Sequence, residues 1–93
     1  MKLVVDVETN GFLDKLDTVH CIVCKDIETG KVYEFNPDNL EQGLQLIKNA
    51  TLLIGHSILG FDIPALNKVF GKKFEYEGAV LDTLLCSRLI FAN

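Results

Sequence analysis

The first eight residues constrain the fold of this chain more than any other segment. Leu3, Val4 and Val5 form an unbroken apolar run, which is typical of a central strand that is buried on both faces of a sheet. Asp6 and Glu8 follow directly, and side chains two positions apart on a strand point to the same face, about 6.5 Å apart along the chain. The segment therefore predicts a buried strand that ends in two neighbouring carboxylates.

Two interpretations of Asp6 and Glu8 follow from the residues alone. Paired carboxylates are the oxygen ligands that Mg²⁺ and Mn²⁺ prefer, and open α/β sheets bind ligands at the ends of their strands. The alternative is a pair of ordinary acids on the solvent face of a strand. A net charge of −4 argues against binding nucleic acid by bulk charge, so contact with phosphates would be local or metal-mediated.

The remaining hydrophobic pattern predicts an α/β fold. Strands are expected at residues 2–8, 18–27 and 32–35, with Glu28-Thr29-Gly30-Lys31 as a hairpin loop. We expect a helix at 36–50, a strand at 51–56, a helix at 62–70, a short strand at 79–81 and a last helix from Asp82 or Thr83 to Ile90. This order predicts a mixed sheet, with an antiparallel meander of three strands before the βα crossovers and helices packed on it. A ribonuclease H-like arrangement has this order.

Length and composition place these elements in one domain. The 93 residues, 48% of them hydrophobic, are enough for a single packed core. Only three apolar residues separate Lys2 from Asp6, too few for a signal peptide or a membrane span. Three cysteines do not suggest a secreted disulfide framework. We therefore expect a cytoplasmic domain that has no contact with membranes.

Asp62 is the third candidate ligand, at the point where the predicted strand 51–56 gives way to a loop and a helix. By itself it is an N-cap or first-turn acid. However, residues 6–11 (DVETNG) resemble the first motif of the DEDD-type 3′→5′ exonucleases, and residues 56–66 resemble the second. The closest resemblance is to the proofreading domain of single-subunit phage DNA polymerases of the A family, and it extends to residues 81–90.

The resemblance implies phosphodiester hydrolysis at single-stranded 3′ ends, with DNA as the expected substrate, by two Mg²⁺ or Mn²⁺ ions. Asp6, Glu8 and Asp62 would be the catalytic and metal-binding residues, in a phage or its bacterial host. For Phe12 and Leu13, stacking on a base and core packing remain open. The substrate contacts implied are those of Thr9, Phe12, Leu13, Ser57 and Phe61.

The chain departs from the family pattern in two places. Ser57 stands where the family usually has Asn, so the reach of an amide is lost. No Tyr-x-x-x-Asp or His-x-x-x-x-Asp segment follows Asp62, so the fourth carboxylate is missing. Asp82 is a candidate replacement, although capping of a helix is the stronger expectation. We expect a fragment of a longer polymerase, a metal binder without turnover, or a site completed by a polymerase partner or a homodimer.

Two other functions fit the same residues. One is a non-catalytic nucleic-acid-binding or assembly module that retains the fold. The other is an endonuclease or ribonuclease of the broader ribonuclease H-like class.

Several remaining residues have structural interpretations. Cys21 and Cys24 have Cys-x-x-Cys spacing, but residues three apart on a strand face opposite sides, so buried structural cysteines are expected. His20 and His56 are expected to be hydrogen-bonded structural residues. A solvated surface, in preference to phosphate contact, is predicted for Lys68, Lys72, Lys73 and Arg88.

Overall fold

Six strands and two α-helices make up the part of the chain that the computed structural model describes, residues 1–85 and 88–91. The α-helices are α1 (Leu40–Lys48) and α2 (Ile63–Phe70), preceded by a π-helical turn at Ile58–Asp62. Neither helix in these ranges is long and apolar enough to cross a membrane. The strands are β1 (Lys2–Thr9), β2 (Val19–Asp26), β3 (Val32–Phe35), β4 (Leu52–Gly55), β5 (Ala79–Asp82) and β6 (Arg88–Phe91).

The strands form one mixed sheet in the order β3-β2-β1-β4-β5-β6. β1, β2 and β3 pair as an antiparallel meander, and β4 pairs in parallel with both β1 and β5. The predicted α/β mixed sheet, with a meander before the βα crossovers, is thereby confirmed. The hairpin loop between β2 and β3 also lies where it was predicted, and Gly30 supplies the positive φ of 78° that the turn requires.

Both α-helices lie on the same face of the sheet. β3, β4 and β5 are parallel to one another, and the connections through α1 and α2 each move in the same direction across the sheet. Right-handed crossovers in one direction place both helices on one side. Leu44 of α1 and Leu66 of α2 accordingly share one hydrophobic core with Leu3 and Val5. Among the described residues no helix covers the opposite side, which we call the open face.

β1 is consequently buried on one side only, and the prediction of a strand buried on both faces is wrong. Leu3, Val5 and Val7 are at most 5% exposed, whereas Val4 is 38% exposed and Asp6 is also exposed. The apolar Val4 within the run Leu3–Val5 concealed this alternation in the sequence. The two acids of β1 therefore point to the open face.

The predicted last helix is also wrong. Thr83–Leu85 forms a single 3-10 turn, and β6 pairs antiparallel with β5 at the edge of the sheet. Leu84 is 55% exposed, so its side chain is not on a buried helical face. The predicted helix and the family resemblance both include residues 86 and 87. These two residues, and residues 92 and 93, lie outside the described residues.

Candidate functional site

β1 extends beyond the end of its neighbour β4. The two strands pair over only the first three residues of β1, because the chain leaves the sheet after Gly55 and turns into the π-helical segment. Glycine is required at this exit, since a Cβ on Gly55 would lie 2.8 Å from the Cβ of Ile58 and 3.1 Å from the carbonyl oxygen of Val5. The later backbone groups of β1 therefore have no strand partner on this side.

The side chain of Asp62 occupies the place of the missing strand. Its Oδ2 accepts a hydrogen bond from the backbone N–H of Val7 at 3.0 Å. Val7 lies between Asp6 and Glu8, so this hydrogen bond fixes the third predicted ligand beside the segment that carries the other two. Asp62 stands at the N-cap position of α2 but makes no side-chain cap hydrogen bond. Its interpretation as a plain helix cap is therefore wrong.

Burial determines the electrostatics of Asp62. Asp62 is only 5% exposed, and this burial raises the pKa of its carboxyl group to about 7. The Val7 N–H opposes the increase, whereas the charges of Asp6 and Asp82 add to it. Near neutral pH the carboxyl group is therefore divided between its protonated and charged forms, and a bound cation would favour the charged form.

Asp6 and Glu8 lie on the open face with a third acid beside them. Across the β1–β2 pairing, Asp6 is opposite Val23 and Glu8 is opposite Cys21, and Val23 is in turn opposite Glu34 of β3. The pKa of the Cys21 thiol is raised, first by burial and then by the charges of Glu34, Glu8 and Asp6. The open face is therefore strongly acidic at this end.

The three predicted ligands are adjacent but do not form a closed ligand set. Asp6 and Glu8 are exposed, whereas Asp62 is buried in the plane of the sheet. Among the side chains of residues 1–85, no group of three or more His, Cys, Asp or Glu residues is arranged to hold a metal ion. The structure brings Asp62 to β1, and the exposed side chains of Asp6 and Glu8 have room to rotate.

Asp82 supports the turn that carries Asp62. It is 1% exposed, and its two carboxylate oxygens accept the backbone N–H groups of Ser57 at 3.0 Å, Leu59 at 2.9 Å and Leu84 at 2.9 Å. Burial acts to raise the pKa of Asp82, but these hydrogen bonds outweigh it and the pKa is lowered. The predicted capping role is confirmed for the turn at Thr83–Leu85, and these contacts leave Asp82 poorly placed as a substitute ligand.

Ser57 begins this turn in a strained conformation. Its φ of 61° and ψ of 29° lie in the left-handed region, which non-glycine residues other than Asn and Asp rarely adopt. An Asn, which the family that residues 56–66 resemble usually has at this position, would suit the left-handed backbone better. Phe61, the other predicted substrate contact on the turn, is half-buried.

Asn10 closes the loop that follows β1. Its Oδ1 accepts the backbone N–H groups of Asp17 and Thr18, each at 3.1 Å, and its Nδ2 donates to Asp17 Oδ1 at 2.7 Å. Leu16, at 1% exposed, anchors the loop in the core. The hydroxyl of Thr9, a predicted substrate contact, donates to the carbonyl of Gly11 at 2.7 Å. The turn-prone run Thr9-Asn10-Gly11 predicts a tight loop here, but it does not predict that the side chain of Asn10 closes this loop.

Phe12 projects from this closed loop with 83% of its surface exposed. Core packing is therefore wrong for Phe12, while Leu13 is half-buried. The carbonyl oxygen of Leu13 accepts a hydrogen bond from Lys68 Nζ at 2.8 Å. Because Lys68 belongs to α2, this contact joins the loop to the helix that starts after Asp62.

The other basic residues for which a solvated surface was predicted are Lys72, Lys73 and Arg88. Lys73 is exposed and pairs with Glu41 of α1 at 3.1 Å. Lys72 is exposed on the same turn, as predicted. The side chain of Arg88 lies outside the described residues.

The predictions are confirmed for His56 and Cys24, whereas His20 is exposed and Cys21 is less buried than predicted. His56 Nδ1 lies 3.2 Å from Thr83 Oγ1, which confirms a hydrogen-bonded role, and His20 is exposed on β2. Cys21 is half-buried on the open face, whereas Cys24 is fully buried in the core. Burial raises the pKa of Cys24 to about 12. The two thiols are on opposite faces and cannot bind one ion.

The fold is an α/β mixed sheet, in which the hydrogen bond from Val7 brings Asp62 to the strand that carries Asp6 and Glu8. No known family model matches the chain. It is similar to the DNA-directed DNA polymerase of Enterobacteria phage T3, at 31% identity over 100 aligned positions that cover 98% of this chain. The DNA-directed DNA polymerase of Escherichia phage T7 is 28% identical over the same length. The chain spans 14% of the length of each relative. Its resemblance to phage DNA polymerases is thereby confirmed.

Proposed function

We propose that this chain is part of a 3′→5′ exonuclease domain of ribonuclease H-like fold, which hydrolyses phosphodiester bonds at single-stranded 3′ ends of DNA. Two findings support the proposal. The relatives are DNA-directed DNA polymerases, and a hydrogen bond from Val7 brings the buried Asp62 to the segment that carries Asp6 and Glu8. We further propose that the domain works with a polymerase, as a partner or within one longer chain.

The observation that carries the proposal is the hydrogen bond from Val7 to Asp62. It joins residues 55 positions apart and holds a buried carboxylate next to two exposed ones. A helix cap or a surface acid would not need this placement. Burial of a carboxyl group beside other acids is unfavourable for folding, and such groups are characteristic of functional sites.

The donor chemistry fits two Mg²⁺ or Mn²⁺ ions held by Asp6, Glu8 and Asp62. All three are oxygen donors, as these ions require, and a cation would offset the cost of a charged Asp62. When bound, the ions supply an activated water and stabilise charge on the attacking and leaving oxygens. The open position of Asp6 and Glu8 lets a phosphate approach them from solvent.

The loop after β1 would bind the terminal nucleotide. Phe12 offers an exposed aromatic ring, on which a base stacks without regard to sequence. Asn10 and Lys68 hold the loop that carries this ring in place through the hydrogen bonds described above. Since the chain carries a net charge of −4, the phosphates would be bound through metal ions and not through a basic surface.

A second candidate function is a non-catalytic module that binds nucleic acid. The observation that favours it is that, within residues 1–85, the acidic side chains are not arranged as a group that could hold a metal ion. Such a module would bind a 3′ end without hydrolysis.

Incubation of the chain with Mn²⁺ and a 5′-labelled single-stranded DNA tests both functions. In a parallel urea denaturation, Mn²⁺ at 100 times its Kd should raise the free energy of unfolding by about 2.7 kcal/mol. Asp6→Asn should abolish this increase. The matched control is Asp14→Asn, which removes an exposed acid from the loop after β1.

Each result separates the candidates. Metal-dependent shortening of the strand that Asp6→Asn eliminates would support the exonuclease, whereas retention of uncut DNA would support the binding module. Cleavage of a circular substrate would identify an endonuclease, and parallel assays on RNA would define the preferred nucleic acid. If Mn²⁺ stabilises the parent and both variants equally, or none of them, the proposed metal site is wrong.

A further inference from the structure

Two buried carboxylates hold the π-helical turn between β4 and α2. At the end of the turn, Asp62 accepts a hydrogen bond from the backbone N–H of Val7 in β1. At its start, Asp82 of β5 accepts the N–H groups of Ser57 at 3.0 Å and Leu59 at 2.9 Å. Asp82 lies 25 and 23 positions from these two residues along the chain, so both contacts depend on the tertiary fold. The turn is therefore attached to a strand at each end.

The carboxylate of Asp82 supplies acceptors where strand pairing stops. The pairing of β4 with β5 ends at Gly55 and Asp82, and Ser57 then has a left-handed φ of 61°, outside the range of a β-strand. Loss of the carboxylate would remove the acceptors of the Ser57 and Leu59 N–H groups, which is unfavourable for partly buried donors. Hydrogen bonds to a charged acceptor are also stronger than those between neutral groups. The start of the turn is therefore firmly fixed.

Hydrogen bonds within the turn link this fixed start to Asp62. The N–H of Phe61 donates to the carbonyl of Ser57 at 2.8 Å, and the N–H of Ile63 donates to the carbonyl of Ile58. Ile58 is fully buried in the core, where close packing resists small displacements. A shift at the start of the turn would therefore move the carboxylate of Asp62 relative to β1.

We propose that Asp82 is a positioning residue, which fixes the turn so that the carboxylate of Asp62 reaches the N–H of Val7. Removal of the contacts at the start of the turn should therefore weaken a hydrogen bond to a different strand. The placement of Asp62 needs no metal ion and is tested without one. Only its consequence for cation binding rests on the proposed exonuclease function.

Asp82→Asn is the test variant, because it keeps the size of the side chain and removes one acceptor. In the parent chain Oδ1 accepts the N–H groups of Ser57 and Leu84, and Oδ2 accepts that of Leu59. The amide nitrogen of the variant is a donor, so it would face at least one of these N–H groups without forming a hydrogen bond. The variant therefore loosens the start of the turn and leaves Asp62 itself unchanged.

Amide hydrogen exchange in EDTA measures the contact between the turn and β1. Asp82→Asn should speed exchange of the Val7 amide roughly tenfold or more relative to that of Val5 on the same strand. A role in overall stability alone would speed both amides equally. The matched control is Thr83→Ala, which removes the 3.2 Å contact with His56 Nδ1 between the segments that follow β4 and β5. This control should leave the ratio of the two exchange rates unchanged.

The parent chain provides a second measurement, which decides the question even where the variant does not fold. The amides of Leu59 and Val7 should become exchangeable in one shared opening, with a weaker dependence on urea than global unfolding has. The amide of Val5 should stay protected during this opening. Absence of a shared opening would overturn the proposal. A folded Asp82→Asn variant with an unchanged ratio of Val7 to Val5 exchange would also overturn it.

Mn²⁺ binding connects the position of the turn with the proposed function. Asp82→Asn should raise the dissociation constant for Mn²⁺ roughly tenfold to a hundredfold, whereas Thr83→Ala should not change it. Weaker Mn²⁺ binding without faster Val7 exchange would identify Asp82 as a ligand and overturn its positioning role. If the parent and the control bind no Mn²⁺, the proposed metal site is wrong, and the exchange measurements still decide the role of Asp82.

Discussion

Replacement of Asp62 by Asn is the most informative change that the structure suggests. The amide removes the negative charge but keeps an oxygen that can accept the hydrogen bond from the backbone N–H of Val7. In the parent chain this hydrogen bond is 3.0 Å long. Burial raises the pKa of Asp62 from 3.8 to about 7, so the folded protein binds a proton here more tightly than the unfolded chain does. The stability contributed by this group is therefore fully present below pH 4 and is lost as the pH rises through 7.

The size of the effect follows from the two pKa values. A tenfold change in proton affinity is worth about 1.4 kcal/mol, so the interval from 3.8 to about 7 corresponds to roughly 4 kcal/mol as an upper limit. The new amide N–H₂ group must be accommodated near the acids, at a cost of about 1 kcal/mol or more. We therefore expect Asp62→Asn to stabilise the metal-free chain by about 1 to 2 kcal/mol at pH 8. At pH 5 the variant should be no more stable than the parent.

Urea denaturation in EDTA at pH 5 and pH 8 measures this difference directly. At pH 8 the melting temperature should also rise by roughly 5 to 10 °C, as expected for a domain of this size. Asp14→Asn, which removes an exposed charge, should change stability equally and slightly at both pH values. If Asp62→Asn destabilises the chain by the same amount at both, the carboxylate is a favourable structural charge and the reasoning from burial is wrong.

Three further changes test the framework around the site. Ser57→Asn should stabilise the chain by about 1 kcal/mol, because Asn tolerates the left-handed backbone at φ 61°; an unchanged urea midpoint, with Ser57→Ala as the control, would contradict this. Gly55→Ala should cost about 1 to 3 kcal/mol, since its Cβ would lie 2.8 Å from Ile58, and equal stability would show that the turn can move. Lys68→Met should increase amide exchange in the loop after β1 roughly fivefold to tenfold by removing the bond to Leu13, whereas exchange within β2 should not change.

The strands were predictable because their signals are local. β3 occupies the predicted residues, and β2 differs from its prediction by one residue at each end. The exposure of one side of β1 was not predictable in the same way, since it depends on the direction of two crossovers across the sheet. Leu85 has helical spacing with Leu89, but the segment ends in a strand because an edge of β5 is available.

The candidate site shows the same difference between features set by local sequence and features set by long-range contacts. The spacing of Asp6 and Glu8 is a local property, and their common side of β1 is confirmed by the register. The position of Asp62 depends on a contact between residues 55 positions apart, which only the family resemblance suggested. The turn signal of Thr9-Asn10-Gly11 indicates a loop, but the hydrogen bonds that Asn10 and Lys68 make to this loop follow no periodic pattern.

The hydrogen bond from Val7 to Asp62 also gives the protein a built-in probe. In most sheets the amide of a central strand donates to a neighbouring strand and is insensitive to solution conditions. The Val7 amide instead donates to a titrating carboxylate, so its nitrogen and proton chemical shifts should follow the protonation of Asp62 and any cation that binds there. One cross-peak in a ¹⁵N-labelled sample would therefore report the state of the site, while the amides of Leu3 and Val5 serve as internal references.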